Sequence, residues 1–314
     1  MLEYVARRVL LLVPVMFIIG TVAFFLLHLT PGDPATLLAG PEATQEEIAA
    51  IRQRLGLDDP VLVQLGRWYA RAVRGDFGES LVFGRPVFSL ILQRAEPTLL
   101  LTLLSLMIGS VVGVTLGVVA ALRHNTAIDT AVMAIALVGM SMPAFWKLLM
   151  LILALSVGAG WFPVAGYVRL AVDPVESLRH LALPALSMGI GSAALIARMT
   201  RSSMLDVLRE DYVRTARGKG LAERVVVYKH ALKNAFMPVL TIMGLVVAID
   251  LGGAVVTETV ANIPGMGRLV VDSIVRRDYP MVQGLLITIA GIYMVVNLAV
   301  DVLYGLLDAR IRYS

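Results

Sequence analysis

The sequence predicts an all-α integral membrane protein with six transmembrane helices. Of its 314 residues, 58% are hydrophobic, and the mean hydropathy is +0.81. Five stretches of at least about 18 residues contain no Lys, Arg, Asp or Glu, and uncharged apolar runs of this length are typical of bilayer-spanning helices. These stretches are 9–32, 97–122, 148–168, 180–197 and 279–300. A soluble core does not need such runs, so a membrane protein is predicted.

The apolar runs and their flanking residues predict six spans. These spans are 9–29, 98–122, 131–157, 181–201, 236–258 and 282–307. The third contains Lys147 and the fifth contains Asp250, so both depend on the flanking sequence and on length. The first follows Arg7 and Arg8 but continues to Leu29, which is longer than the apolar part of a signal peptide. We therefore expect this segment to be retained as a span.

The distribution of Lys and Arg predicts that both termini are cytoplasmic. This orientation places 14 basic residues inside, including Arg310 and Arg312, and five in short outside loops. Cytoplasmic loops carry the excess of Lys and Arg in most membrane proteins. The loop 30–96 adds seven basic residues outside, but loops this long are translocated largely regardless of charge.

The outside loop 30–96 is predicted to contain helices. Thr44 and Glu47 form a capping-box pattern before an apolar helical stripe, and Gly56 is placed to end that helix. Pro60 is suited to the first position of a second helix, which is expected to stop near Gly75. Two interpretations stay open for these helices: a cap on the membrane bundle, or a docking surface for an external partner.

The motifs of common enzyme classes are missing from the sequence. Gly218-Lys219-Gly220 lacks the spacing and the Ser/Thr of a phosphate-binding loop, so the chain is not expected to hydrolyse ATP alone. No metalloprotease motif occurs, and the histidines are scattered over different spans and loops, so no metal site is expected. Ser141 and Ser192 do not fit the nucleophile-elbow pattern. A membrane-embedded enzyme is therefore a weak alternative.

The segment 202–236 is predicted to be a structured cytoplasmic hairpin. Within 210–234, nine of 25 residues are charged, although long apolar runs lie on both sides. Helical spacing predicts two apolar stripes, separated by a turn at Gly218 and Gly220; the stripes are Leu205, Leu208, Tyr212 and Ala216, then Val225, Tyr228, Leu232 and Ala235. Connections between helices usually need only two to eight residues. The hairpin is therefore interpreted as a docking element for a separate protein that supplies energy.

The hairpin and several other motifs resemble the membrane subunits of ABC importers. RTARGKGLAERVVVYKHALKNAFMPVL, with Ala216, Gly220 and Leu232, resembles the EAA loop of the dipeptide/oligopeptide permease branch. Further motifs in family order are PGDP at 31–34, GDFGES at 75–80, PAFW at 143–146, LPALSMG at 183–189, ETVANIPGMGRLVVDSIVRRDYPMVQG at 258–284 and DARIR at 308–312. The resemblance covers nearly the whole chain, so residues 1–314 are expected to form a single permease domain.

The resemblance implies a fold, a mechanism and partners. The fold is that of a type I ABC importer permease in a bacterial or archaeal cytoplasmic membrane. The resemblance implies that the elbow 216–223 is the coupling helix. Leu221 and Ala222 would insert into an ATPase groove, and Gly220 would be needed for the turn. The implied coupling residues are Arg214, Ala216, Arg217, Lys219, Gly220, Leu221, Ala222, Glu223 and Arg224. The implied partners are a second homologous permease, two ATPase subunits that bind ATP and Mg, and an external substrate-binding protein. The chain departs from the general pattern at Arg214 and Lys233.

Two ionisable residues within spans, Lys147 and Asp250, are candidates for the translocation pathway. Ionisable residues are costly in a bilayer and therefore suggest a function. Lys147 and Asp250 lie at similar predicted depth, so they are expected either to pair with each other or to face the pathway. The alternative is that Lys147 snorkels to the interface and that Asp250 faces a polar cavity. The substrate class stays open between peptides and other solutes of this branch, such as nickel complexes or glutathione. A self-sufficient secondary transporter is less favoured because no inverted repeat is visible.

Overall fold

The computed structural model describes residues 2–29, 34–39 and 43–307, which are mostly helical. The helices are α1 (Leu2–Leu29), α2 (Pro34–Ala39), α3 (Gln45–Leu55), α4 (Val61–Ala72), α5 (Val87–Leu122), α6 (Ala127–Ser141), α7 (Ala144–Leu151), α8 (Pro174–Leu208), α9 (Asp211–Gly218), α10 (Glu223–Val225), α11 (Lys233–Val260), α12 (Met266–Val275) and α13 (Tyr279–Leu307). Two π-helical segments, Ile152–Gly158 and Val226–Leu232, follow α7 and α10. Of the motifs above, the first three residues of PGDP and all of DARIR lie outside the described residues, as do Arg310 and Arg312.

The predicted number of spans is confirmed, with one span broken. Five helical segments are long and apolar enough to cross a bilayer: Arg7–Phe25, Val87–Leu122, Pro174–Val207, Glu223–Val260 and Tyr279–Tyr304. A sixth is formed by Ala127–Ser141 and Ala144–Gly158, which are bent by 99°. The predicted span over 131–157 is therefore built from two helices and not from one. Pro143 has no backbone N–H, and it disfavours helical backbone at Met142, whose φ and ψ of −82° and 129° are extended.

The described residues group into two compact units. Among them, the first comprises 2–4, 95–268 and 295–307, and the second comprises 5–29, 34–39, 43–94 and 269–294. In the first unit, α8 packs against α6, α7 and α11. Its largest apolar cluster includes the fully buried Leu101, Leu148 and Leu181 together with Ile263. Helices from widely separated parts of the chain therefore share this core.

Glycines on α5 allow it to pack closely against α8. A Cβ placed on Gly113 would lie 2.7 Å from the carbonyl oxygen of Ala193 and 2.8 Å from the Cβ of Ile196. At Gly109, four residues earlier, it would lie 2.8 Å from the Cβ of Ser192. Small residues at such spacing let helix backbones approach each other in a membrane. Close packing is therefore the role of these glycines.

The second unit contains the helical loop that the sequence predicted. Thr44 and Glu47 form the predicted capping box at the start of α3, and Gly56 ends that helix with φ +66°. The backbone N–H of Thr44, donated to the Glu47 carboxylate, lowers the pKa of that residue below its ordinary value. Pro60 is the N-cap of α4 rather than its first residue. α5 begins at Val87, so the last ten residues of the predicted loop 30–96 belong to this helix.

Buried hydrogen bonds hold the second unit together. The indole nitrogen of Trp68 donates to Gln283 over 3.1 Å, and Gln283 in turn donates to the carbonyl oxygen of Ala23 over 3.3 Å. The fully buried carboxylate of Asp278 accepts hydrogen bonds from the hydroxyl of Ser80 and from nearby backbone N–H groups. α4 and the loop after it are thus fixed, within this unit, to α1, to α13 and to Asp278 immediately before α13.

Candidate functional site

The hairpin begins and ends in membrane-spanning helices. α8 continues to Leu208 without interruption, and α9 begins three residues later at Asp211. On the other side of the turn, α10, the π-helical segment and α11 follow one another directly from Glu223 to Val260. The hairpin is therefore joined at both ends to rigid elements of the first unit.

An apolar contact fixes the two arms of the hairpin to each other. Val213 and Ala216 of α9 are buried against Val226, and Val207 and Leu208 at the end of α8 pack on the same cluster. Val213 and Val226 have no exposed surface. Burial of these side chains holds α9 in a defined position beside the root of the hairpin.

The predicted apolar stripes are correct at some positions and wrong at others. Ala216 and Ala235 are buried, but Tyr212, Val225 and Tyr228 are 42%, 38% and 62% exposed. A break at 209–210 separates α8 from α9, so the phase of one helix does not continue into the other. The wider turn of the π-helical segment then shifts the buried face of the second arm; its buried residues are Val226, Val227 and Ala231.

The turn at the tip depends on the backbone of Gly220. Its φ is +74°, a left-handed conformation that residues with a Cβ rarely adopt. No atom lies within 4 Å of the position that a Cβ would occupy there. The requirement for glycine is therefore conformational and not steric. This is the role that the sequence predicted for Gly220.

An ion pair between Arg217 and Glu223 crosses the turn. Nη2 of Arg217 donates to Oε1 of Glu223 over 2.7 Å, and Nε donates to Oε2 over 3.2 Å. These hydrogen bonds raise the pKa of Arg217 above its ordinary value. Two parallel hydrogen bonds fix the mutual orientation of both groups. Arg217 thus connects the two sides of the turn, in addition to lying on the flank where the sequence placed it.

The remaining predicted coupling residues lie on an exposed surface at the tip. Leu221 is 41% exposed beside Ala222, which is also exposed. Arg214, Lys219 and Arg224 are exposed around them, and Arg214 pairs with Asp211 over 3.2 Å. Ala216 is the exception, since it is buried beneath this surface. We call the exposed residues 214, 217, 219 and 221–224 the tip surface: it combines the apolar side chains of Leu221 and Ala222 with mainly basic ones.

A hydrogen bond outside the predicted set also joins the arms. Nδ2 of Asn234 donates to the hydroxyl of Tyr212 over 2.8 Å and to the carbonyl oxygen of His230 over 3.0 Å. Sequence analysis assigned Tyr212 to the buried stripe and gave Asn234 no role. An aromatic hydroxyl and an amide on facing arms are the signal that would have suggested this contact.

The second predicted group centres on Asp250 in α11. This residue is 4% exposed, and its carboxylate accepts hydrogen bonds from Ser105 of α5 over 2.7 Å and from Ser192 of α8 over 3.1 Å. The carboxylate therefore bridges three spans. Serine hydroxyls in facing helices can satisfy a polar group within a membrane.

Lys147 lies near the same part of α8. It is 8% exposed, and its Nζ donates to the carbonyl oxygen of Gly139 over 2.9 Å. A Cβ placed on Gly191 would be 3.3 Å from this Nζ, and Gly191 precedes the Ser192 that contacts Asp250. Both predicted intramembrane charges thus lie beside α8: Lys147 is next to Gly191, and Asp250 contacts Ser192.

Glu258 is a buried acidic residue that the sequence analysis did not single out. It has no exposed surface, and its carboxylate accepts hydrogen bonds from the hydroxyl of Thr98 over 2.5 Å and from the backbone N–H of Arg268 over 2.9 Å. A Cβ on Gly265 would collide with this carboxylate, and a Cβ on Gly267 would lie 2.7 Å from Cα of Val255 and 3.0 Å from the carboxylate. The signal in the sequence is an acidic residue followed closely by two glycines in a tight loop.

Comparisons with known proteins agree with this architecture. Residues 113–313 match the family "Binding-protein-dependent transport system inner membrane component", and residues 1–102 match "Binding-prot-dependent transport system membrane comp, N-term". The chain is 44% identical over 310 residues to the probable peptide ABC transporter permease protein y4tP of Sinorhizobium fredii (strain NBRC 101917 / NGR234), with 99% of both chains covered. It is 45% identical over 314 residues to the glutathione transport system permease protein GsiC of Escherichia coli (strain K12), with 100% of both chains covered.

A solved structure shows the same fold. The MetNI methionine ABC transporter in an inward-facing form aligns with a TM-score of 0.58 and 19% identity, over 70% of this chain and 96% of that chain. This likeness confirms the expected permease fold. Together with the apolar spans and the whole-length relatives, it identifies a multi-pass membrane subunit of an ABC transporter and not an enzyme. The chain belongs to the family of inner membrane components of binding-protein-dependent transport systems.

Proposed function

We propose that this permease subunit forms half of the translocation pathway of an ATP-driven importer for di- and oligopeptides. The observation that carries the proposal is the 44% identity to a probable peptide permease, which extends over 99% of the chain. The aligned region includes the hairpin, the spans and the helices of loop 30–96. A substrate class shared with that relative is therefore expected.

The assembly that we propose contains a second homologous permease, two ATPase subunits and an external substrate-binding protein. ATP and Mg bind to the ATPase subunits, and the substrate-binding protein docks near loop 30–96. The family supports an ATPase and a binding protein as partners, since it is defined by dependence on a binding protein. The proposed stoichiometry is one copy of this chain for each pair of ATPases.

The tip surface is the proposed contact with an ATPase. Leu221 and Ala222 are exposed at the turn, where they can enter an apolar groove. Lys219 and Arg224 on the edge favour a groove with acidic residues at its rim, because opposite charges steer and orient association. The ion pair between Arg217 and Glu223 and the turn at Gly220 hold the tip in one shape, which lowers the entropic cost of binding.

Asp250 and Lys147 are the proposed pathway residues. Their burial beside α8 places them among packed spans, where a shift of one helix would expose them. A carboxylate and an ammonium group suit the two termini of a zwitterionic peptide. Replacement of Asp250 by Asn keeps the hydrogen-bonding shape and removes the charge, so altered preference between charged and uncharged peptides supports this role.

The orientation with both termini in the cytoplasm is part of the proposal. Because the chain contains no cysteine, a single introduced cysteine reports its side of the membrane without background. In intact spheroplasts, a membrane-impermeant maleimide is expected to label Ala49→Cys in α3 but not Lys219→Cys at the tip. Labelling of the tip variant before lysis would reverse the orientation.

Uptake assays test the substrate class. Cells that lack this chain, and the same cells with it restored, are supplied with labelled dipeptide, pentapeptide or glutathione. Restored uptake of the peptides supports the proposal. Restored uptake of glutathione alone supports the second candidate, which the 45% identity to a glutathione permease favours. Uptake of a nickel complex, without uptake of peptides or glutathione, would assign the chain to the members of this branch that carry nickel complexes.

A further inference from the structure

An ion pair between a buried carboxylate and a partly exposed guanidinium joins α6 to α8, outside the sites described above. Asp129, in the first turn of α6, is 4% exposed, and Arg201 of α8 binds both of its carboxylate oxygens. Nε of Arg201 lies 2.6 Å from Oδ1, and Nη2 lies 2.7 Å from Oδ2. The backbone N–H of Asn125 donates to Oδ2 over 3.1 Å. This geometry is the bidentate type that fixes both distance and orientation.

His124 completes the cluster. Its Nδ1 lies 3.2 Å from Oδ2 of Asp129 and 3.2 Å from Nη2 of Arg201. In the neutral ring with the proton on Nε2, Nδ1 accepts a hydrogen bond from Arg201. The loop between α5 and α6, which turns at Asn125 with φ +62°, therefore also contributes to the pair. The loop, α6 and α8 therefore meet at Arg201.

The ion pair lies on α8 close to the hairpin. Arg201 lies seven residues before Leu208, the last residue of α8, which is about 10 Å along the helix. No break separates Arg201 from the end of α8, and α9 begins at Asp211 after a break at residues 209–210. A displacement of the hairpin thus reaches Arg201 through one rigid helix.

The other partner of the pair, Asp129, belongs to the broken third span. α6 runs from Asp129 to Ser141 without interruption, about 18 Å, and ends at the 99° bend before α7. An open apolar surface pocket of about 490 Å³ lies at this bend, lined by residues between Leu137 and Trp146. A rotation of α6 about its anchored first turn would therefore move the bend.

We propose that Asp129 and Arg201 are positioning residues that make α6 follow α8, so that hairpin movement reaches the bend in the third span. The inference rests on the proposed function, in which the hairpin transmits the movement of an ATPase. Apolar packing alone allows helices to slide, whereas a bidentate pair with a buried carboxylate fixes the distance and orientation of the two helices at that point. The pair thus keeps the hairpin and the bend mechanically connected.

The test uses the assembled importer, with its partner subunits, in proteoliposomes. The variants are Asp129→Asn, Arg201→Lys, Asp129→Arg, Arg201→Asp and the exchanged double variant Asp129→Arg with Arg201→Asp. The matched control is Arg179→Asp, which removes the exposed pair of Arg179 with Glu176 near the other end of α8. Three quantities are measured: the amount of ATPase retained on purification, the rate of ATP hydrolysis, and the substrate imported per ATP hydrolysed.

We expect each single variant at the pair to retain the ATPase but to import about tenfold less substrate per ATP, the size of effect that one contacting pair supports. The exchanged double variant is expected to recover most of this ratio, and Arg179→Asp to keep it. If a charge-reversal variant does not assemble, Arg201→Lys and Asp129→Asn give the answer, because both keep nearly the same volume. Wild-type import per ATP in these two would overturn the inference. A wild-type chain that retains no ATPase would instead overturn the proposed function.

Discussion

Replacement of Gly113 by alanine is expected to weaken the packing of α5 against α8. The new Cβ would lie 2.7 Å from the carbonyl oxygen of Ala193 and 2.8 Å from the Cβ of Ile196, which has no exposed surface. Both neighbours belong to the facing helix or branch directly from it, so neither can rotate away. Overpacking of this kind costs about 1–3 kcal/mol. The matched control is Gly252→Ala in α11, where no atom lies within 4 Å of the new Cβ.

The two variants separate packing from helix propensity. Each gains about 0.5–1 kcal/mol from replacing glycine in a helix interior, so their difference isolates the contact with α8. We expect the thermal midpoint of Gly113→Ala, measured in detergent by tryptophan fluorescence, to lie about 2–12 °C below that of Gly252→Ala. Equal midpoints would refute the close approach of the two helices.

Three further predictions concern the hairpin and the intramembrane charges. Gly220→Ala is expected to lower uptake because a Cβ at φ +74° costs about 1–2 kcal/mol; Gly218→Ala, which also meets no neighbouring atom, serves as the control. Asp250→Ala is expected to lower the thermal midpoint by the equivalent of about 1–3 kcal/mol. It removes the acceptor of the buried Ser105 hydroxyl and leaves Ser192 only the carbonyl oxygen of Met188 at 3.4 Å. Asp250→Asn is expected to keep the midpoint, and equal midpoints for the two variants would contradict this. Arg217→Ala is expected to leave the midpoint within about 1 kcal/mol, because the pair is exposed, yet to weaken ATPase retention; full retention would show that the pair does not shape the tip.

The spans were predictable because membrane solvation acts on local sequence. Each apolar run had to be helical to satisfy its backbone hydrogen bonds, and its length followed from the bilayer. The capping box of Thr44 and Glu47 was equally local, since both partners lie within one turn. The bend at Pro143 was visible only as a residue that often kinks a helix. Its angle depends on the packing of α6 and α7 against α8, which the sequence does not show.

Only part of the hairpin could be predicted from the local sequence. Its existence and the turn at Gly220 followed from charge, spacing and glycine. The buried faces did not, because a π-helical segment replaces the regular period that the stripes assumed. Arg201, the ion-pair partner of Asp129, and the two serines that contact Asp250 lie 58 to 145 residues away in sequence, so only the folded chain brings them together.

The most direct test of the proposed function is crosslinking from the tip surface. A photoreactive amino acid replaces Leu221 in the tagged chain, expressed in its native membrane, and a second variant carries it at Val73, which is 86% exposed beyond the end of α4. The crosslinked products are identified by mass spectrometry. We predict that Leu221 captures an ATPase subunit and that Val73 does not. Capture of no ATPase from Leu221, with the chain purified alone or as a homo-oligomer, would contradict the importer account and favour a self-sufficient transporter.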